Sequence, residues 1–99
     1  MSRPARIVDA EALGGYVLRL TFSDGLVREL DLDGFLHGGV FDSLRDPTEF
    51  ARVVVDVVAG TVSWPIGIDL DPDVLHGDHP PASGSAPTVL REYTLRQTG

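Results

Sequence analysis

The sequence predicts an α+β domain of antiparallel hairpins around one core, with a flexible C-terminal tail. Three observations predict it. Residues 16–22 alternate apolar and polar side chains, Ser23-Asp24-Gly25 interrupts them, and a second apolar-rich run extends to Leu32, which together mark a hairpin. A second ribbon is written in residues 53–58 and 61–64, separated by Ala59-Gly60. Between the ribbons, Gly34, Gly38, Gly39 and Pro47 forbid one long helix and leave room only for short helical turns. Consecutive hairpins pair antiparallel, and helices gathered between them give α+β rather than a doubly wound parallel sheet.

In chain order, residues 6–12 read as a weakly patterned first strand ended by Gly14-Gly15. The next strand places Tyr16, Leu18, Leu20 and Phe22 on one face. Its turn length follows from register. A two-residue Asp24-Gly25 loop would set Leu20 opposite Glu29 and Leu18 opposite Asp31, putting two carboxylates among apolar side chains. A three-residue loop with Gly25 in the left-handed conformation pairs Phe22 with Leu26, Leu20 with Arg28 and Leu18 with Leu30. Side chains alternate with a period of two, so one residue of slip changes every partner. The second register, which buries leucines and one arginine stem, is the expected one.

Asp46-Pro47-Thr48-Glu49 supplies a cap, a first-turn proline and an acidic third position for a brief helix. Residues 53–58 form the next expected strand, with Thr61, Val62, Ser63 and Trp64 as its partner and Pro65 closing it. Asp71-Pro72 begins another short helical turn around Val74 and Leu75. From His79 the composition becomes Pro-Pro-Ala-Ser-Gly-Ser-Ala-Pro, that of a linker. The expected division is therefore a compact α+β domain over residues 1–78, then a linker and short tail over 79–99.

Composition bounds the chemistry. The chain has 99 residues, enough for one domain, and its 42% hydrophobic content can fill a core. Without cysteine there are no disulfides, thiolate metal sites or cysteine nucleophiles. No apolar run approaches the roughly 20 residues of a membrane span, and Met1-Ser2-Arg3-Pro4 does not open a secretory signal, so a cytoplasmic protein with no membrane association is expected. Net charge is −7 and every cation is arginine. Affinity for nucleic acid comes largely from cations displacing phosphate counterions, so no direct nucleic-acid binding is expected.

Ordered along the chain, Phe22-Ser23-Asp24-Gly25, Asp31-Leu32, Val40-Phe41 with Leu44, and Trp64-Pro65-Ile66-Gly67-Ile68-Asp69 with Leu75 resemble a small bacterial family of unknown function, domain family number 2442. The resemblance covers residues 6–78. It implies a partner in a two-gene cassette of toxin–antitoxin type, on the antitoxin side, and supplies no catalytic residues. Some relatives add a helix-turn-helix domain, for which the residues after His79 are too few. The sequence departs from the family at Ile66, where a polar residue, often asparagine, is expected; isoleucine cannot hydrogen-bond the turn.

The chain is expected not to be an enzyme. Ser23, Ser43 and Ser63 sit in turn, helix or strand patterns without a nucleophile elbow, and no glycine-rich segment leads to a lysine. Glu29-x-Asp31-x-Asp33-Gly34 and Asp69-x-Asp71-x-Asp73 begin like calcium loops but place Val40 and Pro80 where the bidentate glutamate belongs. His37, His76 and His79 share no helix face, so a loose surface arrangement is expected and no metal or other cofactor. The expected function is a small protein-interaction module whose partner is a protein, basic by charge complementarity; a homo-oligomer is compatible with the same features. Candidate contacts are Trp64, Ile66 and Asp69, together with tail residues Tyr93 and Leu95, which could order on a partner by strand addition or as a helical turn. The alternative is a small-ligand-binding or regulatory domain with a site near residues 64–69. For Trp64 itself, a core position competes with the recognition role.

Overall fold

A computed structural model describes residues 5–33, 35, 39–77 and 87–95. Seven strands and two short α-helices appear among them. The strands are β1 (Ile7–Gly14), β2 (Val17–Phe22), β3 (Leu26–Asp31), β4 (Val54–Asp56), β5 (Thr61–Trp64), β6 (Ile68–Asp69) and β7 (Thr88–Thr94). A 3-10 helix over Gly39–Arg45 and α1 (Pro47–Phe50) lie between the ribbons, and α2 (Pro72–His76) follows β6. The strands form two antiparallel sheets, ordered β1-β2-β3-β7 and β4-β5-β6. The α+β expectation holds in outline, with more strand and less helix than the pattern suggested.

The three-residue hairpin register is the one the structure adopts. Leu18 pairs with Leu30 and Leu20 with Arg28. Gly25 has φ 89° and donates its N–H to the Phe22 carbonyl, a conformation that strains any side chain bearing a Cβ. Leu18, Leu20, Phe22 and Leu30 are therefore buried on one face.

That face joins Val62 and Trp64 of the second sheet in a single core, closed by Leu32, Leu44, Phe50, Leu70 and Leu75. Leu44 and Phe50 come from the glycine-punctuated stretch. Phe50 is placed by α1, whose Asp46 side chain caps the Thr48 N–H at 2.9 Å, as the Asp-Pro-Thr-Glu pattern implied. Glu49, which a full capping box would turn back toward Asp46, approaches Arg52 at 3.8 Å.

Three expectations need correction. Residues 53–58 are not one strand: β4 stops at Asp56, and Val57 and Val58 lie in the turn. The Asp56 carboxylate accepts from the Val58 and Ala59 N–H groups at 3.1 and 3.0 Å, and the Arg6 guanidinium takes the Val57 and Val58 carbonyls at 2.8 Å each. The local bonds of Asp56 and the long-range ones of Arg6 together outcompete the ladder that β-branched residues favour. Next, the ribbon of β4 and β5 gains a third strand, β6, after the turn at residues 65–67. Finally, residues 88–94 are not a flexible tail but a strand on the β3 edge. Leu26, Val27 and Leu30 gave that edge an apolar path, and backbone pairing supplied the rest. His37, His79 and the linker at 79–86 lie outside the described residues.

Candidate interaction surface

The turn after β5 repeats the design of the first hairpin. Trp64 pairs with Ile68 across Pro65, Ile66 and Gly67, and Gly67, with φ 94°, donates its N–H to the Trp64 carbonyl at 2.9 Å. Proline presets the first turn position and glycine supplies the last. The result holds Ile66 outward, 45% exposed, at the tip.

Trp64 itself faces inward. It is only 2% exposed, its Nε1–H donates to the Phe50 carbonyl at 2.9 Å, and its ring lies tilted against Phe50 with centroids 5.8 Å apart. An indole so placed fills the core and satisfies its own polar atom. At that exposure it offers almost no surface to a partner, so the contact expected of it is corrected to a core role. Asp69 is exposed and pairs with Ser63 in the sheet, and α2 starts just after Asp71, whose carbonyl accepts from the Leu75 N–H.

Tyr93 and Leu95 are both exposed, on and just after β7, and Arg91 lies over the Tyr93 ring at 5.0 Å. The two candidate clusters thus belong to different sheets: Ile66 and Asp69 to the smaller one, Tyr93 and Leu95 to the edge of the larger. Val89 and Leu90 are exposed on the same strand, Val89 on the face opposite Tyr93, and all seven β7 residues are exposed.

The residue that organises this edge is Arg28, which carried a signal in the sequence: the favoured register placed an arginine among leucines. Its side chain is 14% exposed. One guanidinium nitrogen donates to the Leu75 carbonyl at 2.9 Å, at the end of α2, and Nε lies 2.9 Å from Glu92 Oε1 on β7. The latter contact is an ion pair out of line for a hydrogen bond, and the buried Nε–H has no hydrogen-bond acceptor among the described residues.

Beside it, α2 folds back over the first hairpin. His76, expected loose at the surface, is largely buried, stands edge-on to Phe22 with centroids 4.8 Å apart, and places Nε2 2.8 Å from Asp24 Oδ2. Burial pulls the Asp24 carboxyl upward. The Leu26 N–H and His76 together outweigh it and hold the carboxyl below its ordinary value. Two of the calcium-like carboxylates have structural partners: Asp31 accepts from the Asp33 N–H at 3.0 Å, and Asp33 pairs with Arg45 at 2.8 Å. Among the described residues no three or more His, Asp or Glu gather as a metal site, and no helix is long and apolar enough to cross a membrane.

No curated protein and no solved structure matches this sequence. One family model does, over residues 7–78, and its description is "Protein of unknown function (DUF2442)". The match spans both ribbons, the helical stretch between them and α2, but stops short of β7. With more than half of its length covered, the chain belongs to this family of unknown function.

Proposed function

We propose that the protein is an interaction module, the antitoxin-like member of a two-protein cassette, whose partner is a basic protein. The observation that carries this reading is where exposed apolar side chains collect. Val89, Leu90, Tyr93 and Leu95 stand exposed along one short edge segment, Val89 on the face of Leu30 and Tyr93 on that of Val27, and apolar exposure along an open edge suits an association surface. A net charge of −7 supports a basic partner, because complementary charge speeds encounter and suppresses wrong pairings.

The test is co-expression with the product of the neighbouring gene, followed by size-exclusion chromatography. A single co-eluting peak of defined stoichiometry is expected, weakening as salt is raised. Separate elution of two folded proteins would overturn the reading.

A further inference from the structure

We propose that the β3 edge is a strand-accepting site held in cis by β7, and that its partner is an extended segment of another protein which delivers a carboxylate to Arg28 and displaces β7. This inference rests on the reading of the chain as an interaction module and places the contact on β3, where β7 now pairs.

The cis occupant has the features of a replaceable one. It comes from outside the family-matched residues and is joined to them by His-Pro-Pro-Ala-Ser-Gly-Ser-Ala, a linker composition. It pairs along the whole of β3, from Leu26 with Thr94 to Asp31 with Thr88, and the Leu95 N–H continues the ladder to the Gly25 carbonyl at 2.8 Å. Yet none of its seven residues is buried, whereas Val27 and Leu30 of β3 are. Its hold is mainly main-chain hydrogen bonding, which any extended segment can offer.

The fit of β7 is also imperfect in two places. The register shifts between Glu29 and Leu30, leaving Leu90 as an extra residue opposite the ladder. Glu92 reaches Arg28 out of line, so the buried Nε–H goes without an acceptor. A strand that pairs without the bulge and aims a carboxylate along Nε–H would make a better partner than the chain's own segment, since a buried donor gains most from a charged, aligned acceptor.

Charge along the edge narrows the partner further. Arg28 calls for an acidic residue, while Glu29 and Asp31 on the other face sit opposite Arg91 and Thr88. Neighbouring residues of a strand point to opposite faces, so the favoured segment has a cation next to its carboxylate, the cation facing Glu29. The tethered β7 competes at an effective concentration on the order of millimolar, which weakens every free segment and favours strands that improve on it.

The experiment uses the full chain and a synthetic peptide of residues 87–95 as probe. Glu92→Arg places like charge beside Arg28 and should release β7, read as loss of amide-exchange protection over residues 88–94. The released protein should then bind the peptide about tenfold more tightly than wild type does, because the tethered competitor is gone, with NMR shifts along residues 26–31. A peptide carrying the same Glu92→Arg change should not bind. If Glu92→Arg fails to fold, Glu92→Gln carries the same test with weaker release.

The proposal is overturned if β7 stays protected in these variants, or if it is released and the peptide leaves residues 26–31 unshifted. It is also overturned if wild type forms a stable dimer with exchanged β7, since a second copy would then be the occupant. Peptide binding without co-elution of the cassette partner would refute the antitoxin reading and keep the edge; co-elution without peptide binding would do the reverse.

Discussion

Replacing Trp64 with phenylalanine separates the core role of this residue from the recognition role that its motif suggested. The substitution keeps an aromatic ring but removes the Nε1–H that donates to the Phe50 carbonyl at 2.9 Å. It also shortens a side chain that is 2% exposed and packed against Phe50. A buried acceptor deprived of its donor costs about 1–3 kcal/mol. The lost packing adds about 1 kcal/mol, a fraction of the 3–5 kcal/mol of a full Trp-to-Ala truncation.

The expected destabilisation of Trp64→Phe is therefore about 2–4 kcal/mol, large for a domain whose total stability is on the order of 5–15 kcal/mol. With a urea slope of about 2 kcal/mol/M, the midpoint should fall by about 1–2 M. Far-ultraviolet circular dichroism is the appropriate probe, because the chain has a single tryptophan and its fluorescence disappears with the mutation. A midpoint unchanged to within about 0.3 M, beyond extrapolation error, would refute the core argument. Weakened partner binding at unchanged stability would return Trp64 to the surface role.

Two further outcomes follow from particular contacts. Gly67→Ala and Gly60→Ala both force a Cβ onto positive φ, at 94° and 71°, and each should cost about 1–2 kcal/mol from backbone strain. Gly60→Ala should cost more, because its Cβ would lie 2.7 Å from Arg6 Cζ and push the guanidinium off the Val57 and Val58 carbonyls, whereas nothing stands within 4 Å at Gly67; equal urea midpoints for the two variants would refute this. Asp24 carries the pH prediction. Its folded carboxyl sits below the ordinary 3.8, so the stabilisation it gives is complete above that value and is lost as pH falls through the lower folded value. Wild type should therefore lose melting temperature on acidification more steeply than Asp24→Asn below about pH 4, and parallel acid profiles would contradict the assignment.

Local rules carried much of this fold. The first hairpin was legible to the residue because Gly25 and the alternation of Leu18, Leu20 and Phe22 admit one register that keeps Glu29 and Asp31 away from the apolar face. The start of α1 was legible because Asp46 and Pro47 act within a single turn. Residues 53–58 misled because β-branching favours extended backbone, while Asp56 and the distant Arg6 reward a turn. In the candidate surface, Ile66 lies outward as its turn chemistry requires, but the motif could not say which way Trp64 points.

By itself, then, the sequence determined the β1–β2 and β2–β3 hairpins with their turns, the family and the acidic composition, since each depends on neighbours in the chain or on composition. Only the tertiary structure decided that Trp64 belongs to the core, that α2 brings His76 to Asp24, and that residues 88–94 close the β3 edge over Arg28. Those contacts join residues far apart in sequence, and backbone pairing at an open edge leaves almost no side-chain pattern to read in advance.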